Sequence, residues 1–168
     1  MIGFKGKRAF PIVVALGLAL TMGACARNNI DGADALNGGA YGASGPGSAR
    51  EFANSVGDRV FFDTDSTELN AAGQATLDKQ AAWLNQYGRY SFTVEGHADE
   101  RGTREYNFAL GARRAESTKN YLIAKGISSS RIKTISYGKE RPVATCDDIS
   151  CWSQNRRAVT VLAGSAGS

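Results

Sequence analysis

The stretch "HADERGTREYNFALGARRA", residues 97–115, holds three acids, four arginines and the chain's only histidine. A site that offers both an acid and an arginine suits a ligand carrying both signs. A free amino-acid terminus is such a ligand. Its ammonium meets a carboxylate, and its carboxylate meets the bidentate fork of a guanidinium. Asp99 falls in the loop that leaves an apolar, strand-like run, "SFTVEG", and Arg114 falls on the helix-like run that follows. Gly96 and Gly102 let that loop bend and bring backbone N–H groups close to a ligand.

The helix separates its two adjacent arginines. Gly111, Ala115, Thr118 and Leu122 form a stripe at spacings of four, three and four. At about 100° per residue, Arg113 points nearly opposite that stripe, toward water or a large partner. Arg114 lies about 60° from it, at the edge of the packed face, where it can border a groove.

Other chemistries are possible on paper. "VFFDTDSTEL" places Asp63 and Asp65 after an apolar strand, in the Asp-x-Asp-x-Thr pattern of haloacid dehalogenase-like phosphatases. There the first aspartate attacks phosphorus and the second serves as acid–base. "CDDIS" imitates the late acidic pair that holds magnesium in those enzymes. The motif is short, those enzymes need a larger parallel sheet, and no lysine is clearly placed to hold the phosphate. His97 and Asp99 could begin a metal site, but a third ligand at sensible spacing is missing. The expectation is a non-enzymatic binding module without metal or cofactor.

These residues need a scaffold. "DRVFFD" reads as a strand ending in acids. "NAAGQATLDKQAAWLNQYG" reads as a helix capped by Asn70 and stopped near Gly88, with Gly73, Leu77, Ala81 and Leu84 on one face. "YSFTVEG" is the central strand, and a second helix runs from about Arg104 to Lys125, with Thr103 as cap and Gly126 as stop. "RIKTISY" and "RRAVTVL" are two more strands. The order β-α-β-α-β-β predicts an α+β two-layer sandwich: one mixed four-stranded sheet with two main helices on one face.

The 20 basic and 16 acidic residues give a net charge of +4. Residues 1–24 hold Lys5, Lys7 and Arg8 and no acid, so beyond them 17 basic residues face 16 acidic ones. The basic balance belongs mostly to this leader, and it is a poor argument for nucleic-acid binding. The leader has a basic start, an apolar run and small residues before Cys25, which is the pattern of a secretory signal. Gly23, Ala24 and Cys25 resemble a bacterial lipobox, although Met22 stands where leucine is usual. The alternative is an ordinary signal peptide with a chance cysteine. Ala26, rather than aspartate, after the cysteine favours the outer membrane. With Cys25 lipidated, Cys146 and Cys151 remain as an even pair whose spacing can close a small loop in an oxidising compartment. Two reduced thiols are the alternative. Residues 25–50, rich in Gly, Ala, Asn and Ser, read as the lipid-bearing cysteine and a flexible tether of roughly 25–30 Å r.m.s. reach, ahead of a globular domain over 51–168.

"VEGHADERGTREYN", "LGARRA", "SYGKERP" and "QNRRAV", in this order and spacing, closely resemble the peptidoglycan-associated lipoproteins, whose domain also stands at the C-terminus of outer-membrane protein A. The likeness covers about residues 55–163, and the lipobox and tether extend it. The resemblance implies an OmpA-like domain that binds the diaminopimelate side chain of peptidoglycan stem peptides non-covalently, linking outer membrane and cell wall within the Tol-Pal system. The family's aspartate and arginine fall on Asp99 and Arg114. Asn107, Leu110, Asp63 and Asp65 are expected to line the same site. The resemblance also implies TolB as a partner over an overlapping surface, with Arg113 as a candidate contact, and anchorage in the periplasmic leaflet of the outer membrane through Cys25. The Cys146–Cys151 pair departs from the family's general pattern.

Overall fold

The computed structural model describes residues 45–163. The leader, Cys25 and the tether as far as residue 44 lie outside the described residues. A short helical turn, α1 (Ala49–Glu51), runs on as a π-helical turn over Phe52–Gly57. Then follow β1 (Arg59–Phe61), α2 (Ala71–Gln86), β2 (Phe92–His97), α3 (Arg104–Ala124), β3 (Ile132–Gly138), α4 (Ile149–Asn155) and β4 (Arg157–Leu162). The strands lie in the order β1-β4-β2-β3. Strand β4 is antiparallel to both β1 and β2, and β2 is parallel to β3, so the sheet is mixed as expected.

Helices α2 and α3 cover one face of the sheet. Asn70 caps α2 by accepting from the N–H of Gly73 at 2.9 Å, and Thr103 caps α3 by accepting from Tyr106 at 3.2 Å. Each cap satisfies one of the N–H groups that a helix start leaves unpaired. The predicted stripe of α2 is buried against Val60, Phe92, Val94 and Leu162 from the strands. The stripe of α3 is buried too, and it comes unusually close to the sheet. A Cβ on Gly96 of β2 would lie 1.8 Å from the carbonyl oxygen of Gly111. Glycine at that point lets helix backbone rest on strand backbone and fixes the height at which Arg114 leaves α3.

Two elements differ from the sequence expectation. Residues 45–50 belong to the folded part rather than to the tether. Ser48 is buried and its Oγ accepts from the N–H of Glu51 at 3.1 Å, while Glu51 Oε2 accepts from Gly47 N–H at 2.6 Å and from Trp83 Nε1 at 2.9 Å. Ser48 and Glu51 stand in the Ser-x-x-Glu arrangement of a capping box, hidden in a run of small residues. The second is α4, a two-turn helix inside a segment read as connection. Asp148 opens it, accepting from Ser150 N–H at 2.7 Å, and the Cys146–Cys151 disulfide closes the segment that leads into it.

Candidate ligand-binding site at the strand–helix junction

Strand β2 ends at His97, and the chain turns through Ala98 and Asp99 before Thr103 starts α3. Asp99 is only 7% exposed. Its Oδ2 accepts from Arg101 Nη2 at 2.6 Å and from Arg156 Nη1 at 3.2 Å, and its Oδ1 accepts from the Arg101 backbone N–H and Nε, both at 3.3 Å. Burial alone would raise the Asp99 pKa, but the hydrogen bonds from Arg101 and Arg156 outweigh it and hold the carboxyl below the usual range. Asp99 is therefore a fixed negative charge at neutral pH.

Arg114 goes further inside than its helical angle suggested: it is fully buried. The expected open fork is partly committed to the fold. Nε donates to the carbonyl of Ser66 at 2.9 Å, Nη1 to that of His97 at 2.9 Å and Nη2 to that of Asp63 at 3.2 Å. A guanidinium has five N–H donors, so one remains on each terminal nitrogen. No carboxylate among the described residues lies within ion-pair distance of it. Desolvation, with the nearby Arg156 charge, lowers its pKa to about 10, so it stays charged at neutral pH. A buried cation with two spare donors, three carbonyl partners and the Phe62 ring 5.2 Å away has the chemistry to receive an anion.

The other expected residues occupy distinct places. Asp63 is exposed, and its carbonyl rather than its carboxylate meets Arg114. Asp65, at a left-handed φ of 56°, accepts from the hydroxyl of Tyr106 and so pins the β1–α2 loop to α3. Asn107 is buried, and its Nδ2 donates to the Arg101 carbonyl at 2.7 Å, which shapes the loop around Asp99 from behind. Leu110 is buried on the same side of α3. Arg113 is exposed, as its angle required. The phosphatase arrangement is not what the fold builds. Strand β1 has three residues and sits at the sheet edge, antiparallel to its neighbour, and Asp148 is spent on capping α4.

Three residues without an assigned role in the sequence complete the junction. Arg156, 6% exposed, donates from Nε to the Phe62 carbonyl at 3.0 Å and from Nη1 to Asp99. Arg101 stacks 4.1 Å above the ring of Trp152 from α4, and the Trp152 indole N–H donates to Glu100. Alternation along β4 could have drawn attention to Arg156, because Arg156 and Arg157 must leave on opposite faces. Nothing in the sequence indicates that α4 brings Trp152 to Arg101.

Comparison with known proteins identifies the family and the fold. The OmpA family model matches residues 61–156, which carry the whole junction. Peptidoglycan-associated lipoproteins of Mesorhizobium japonicum and Rhizobium meliloti are 61% and 60% identical, each over 94% of this chain, and the match covers 94% and 90% of those proteins. The chain belongs to the peptidoglycan-associated lipoproteins. The crystal structure of the peptidoglycan-associated lipoprotein from Burkholderia pseudomallei, 39% identical, superposes with a TM-score of 0.63 over 66% of this chain and 95% of that one. The C-terminal domain of Helicobacter pylori MotB, at 22% identity and a TM-score of 0.60, shares the fold. The shared fold places the oppositely charged Asp99 and Arg114 of this chain at the two sides of one strand-to-helix turn.

Proposed function

We propose that the chain is an outer-membrane lipoprotein, anchored in the periplasmic leaflet through Cys25, that grips the diaminopimelate side chain of peptidoglycan stem peptides without covalent chemistry. The observation that carries this reading is the pairing at one junction of a buried carboxylate, Asp99, with a buried guanidinium, Arg114, that has no acidic partner among the described residues. The free end of diaminopimelate carries both an ammonium and a carboxylate. Asp99 receives the ammonium, which takes the place of Arg101. The carboxylate takes the spare N–H donors of Arg114 and gains from the adjacent charge of Arg156. Membership of the peptidoglycan-associated lipoproteins supports the same ligand and a partnership with TolB and other Tol proteins.

Charge-assisted hydrogen bonds are worth roughly 1.5–3 kcal/mol each before ordering costs. A few of them make a reversible grip, and many copies on one membrane facing one polymer hold by avidity. Buried acyl chains at the other end add about 0.8 kcal/mol per CH₂.

The test is a pull-down of the protein with purified diaminopimelate-type peptidoglycan, with and without competing meso-diaminopimelate, alongside peptidoglycan whose stem peptide carries lysine. The lysine-type wall lacks the terminal carboxylate. Competition by diaminopimelate and weak capture by the lysine-type wall are expected. Asp99→Asn, which keeps the shape and removes the charge, is expected to weaken capture of the diaminopimelate-type wall by removing the ammonium contact. Equal capture by both walls, undisturbed by competitor, would overturn the reading.

A further inference from the structure

The junction uses one face of the sheet, and the opposite face is not covered by α2 or α3. A cleft of about 950 Å³ runs along it, beside β2 and β4. Two residues that line this cleft, His97 and Arg157, carry buried side-chain atoms without a hydrogen-bond partner among the described residues: Nδ1 and Nε2 of His97, and Nε of Arg157. His97 is 2% exposed and Arg157 5% exposed. The nearest acid to His97 is Glu95, with Oε2 at 3.8 Å from Nε2, too long for a hydrogen bond. The other Arg157 nitrogens are occupied, Nη1 by the Asn155 carbonyl at 3.4 Å and Nη2 by the Arg141 carbonyl at 3.2 Å. That frame holds Nε in place as a buried donor. Unpaired buried polar atoms are costly, so three of them on two residues lining one cleft point to a bound group.

The charges specify its sign. Arg50, Arg59, Arg141 and Arg157 line the cleft against Asp58 and Glu95. Arg59 is already paired with Asp58 at 2.7 Å. Arg141 lies 3.6 Å over the ring of Tyr137 and lines the cleft. Val143, Val159 and Val161 supply apolar wall next to these cations.

We propose that this cleft is a second binding site, for a carboxylate on a peptide segment of a partner protein, with an apolar side chain beside the acid. The carboxylate accepts from Arg157 Nε and Arg141, a neighbouring peptide N–H donates to one His97 nitrogen, and the apolar side chain rests on the valines. The site is distinct from the diaminopimelate site and does not depend on it.

His97 is the only histidine in the chain, so its ring nitrogens give isolated signals. The experiment is ¹⁵N NMR of the full chain in detergent, titrated with acetyl-glutamyl-valinamide and with its neutral glutaminyl analogue. The glutamyl probe is expected to shift the His97 nitrogens saturably, and the glutaminyl probe to leave them in place. Arg141→Ala, an exposed change outside the first site, is expected to raise the midpoint at least fivefold while capture by peptidoglycan stays as in the unsubstituted chain. Arg157→Lys, which keeps a charge but removes Nε, is expected to lose the shift if it folds. A non-saturating response, the same response to both probes, or an unchanged midpoint in Arg141→Ala would mean that water alone fills the cleft and would overturn the proposal.

Discussion

Arg114 has two tasks that its position in the sequence does not separate. It ties the β1–α2 loop to the end of β2 through three carbonyls, and it leaves two donors that the proposed ligand would use. Arg114→Ala is therefore expected to lose wall binding by roughly 2–4 kcal/mol and also to lower stability, because buried carbonyls lose their donors. Arg114→Lys restores the charge but not the planar fork and should rescue in part. Calorimetry and urea unfolding on the same samples separate the two losses. Arg113→Ala, on the exposed side, should change neither. Arg101 makes the opposite prediction. It occupies Asp99 from a half-exposed position, in a pair screened by solvent. Arg101→Ala is expected to tighten diaminopimelate binding by about fivefold, measured by calorimetry, since the ammonium no longer displaces an internal cation. The residue types and spacing of Asp99 and Arg114 were legible in the sequence. How their hydrogen bonds are spent was not, because the partners are carbonyls of Asp63, Ser66 and His97, and any residue supplies a carbonyl.

At the scale of elements, the legible parts were those with a period. The apolar stripes of α2 and α3 and the alternation of β2 and β4 repeat often enough to be read, and their caps are of ordinary type. Helix α4 has only two turns and no stripe, so nothing periodic announces it. The capping box at Ser48 was readable in principle, but its neighbours are the residues of a flexible linker. The close approach of α3 to β2 yields a strong test. Gly96→Ala puts a methyl within 1.8 Å of the Gly111 carbonyl, so α3 must lift. A loss of about 3 kcal/mol in denaturant unfolding is expected, with weaker wall binding, because Arg114 rises with the helix. Opening the Cys146–Cys151 loop by Cys146→Ser is expected to cost about 2 kcal/mol by the chain-entropy argument. It should also loosen Trp152 from Arg101, visible as a change in tryptophan emission.

For the molecule as a whole, acid is the condition that tests the hidden histidine. Its ring is faced by Glu95 on its own strand, Tyr137 on β3, Arg141 in the following loop and Arg157 on β4. Burial, with the charges of Arg157 and Arg141, lowers the His97 pKa from 6.5 to about 3. The folded state therefore keeps His97 neutral where the unfolded chain has already taken up a proton. This contribution is intact above about pH 6.5 and is lost steadily as the pH falls toward 3. His97→Gln is expected to flatten the fall of stability with acid by up to one proton per molecule, read from urea midpoints between about pH 4 and about pH 7. An unchanged slope would mean that the fall comes from the carboxylates alone.

The buried start of the domain sets how the molecule bears tension. Near the start of the described residues, the Gly47 carbonyl is gripped by Arg89 Nη2 and the Tyr90 hydroxyl, each at 2.7 Å. Ser48 and Glu51 lock the next turn, and Glu51 reaches across to Trp83 near the end of α2. The load therefore passes into the α2–β2 connection, next to the strand that leads to Asp99, before it can peel the short edge strand β1. An envelope under strain would draw on the same strand that leads to the proposed wall ligand, and the capping turn would act as the fuse that yields before the sheet.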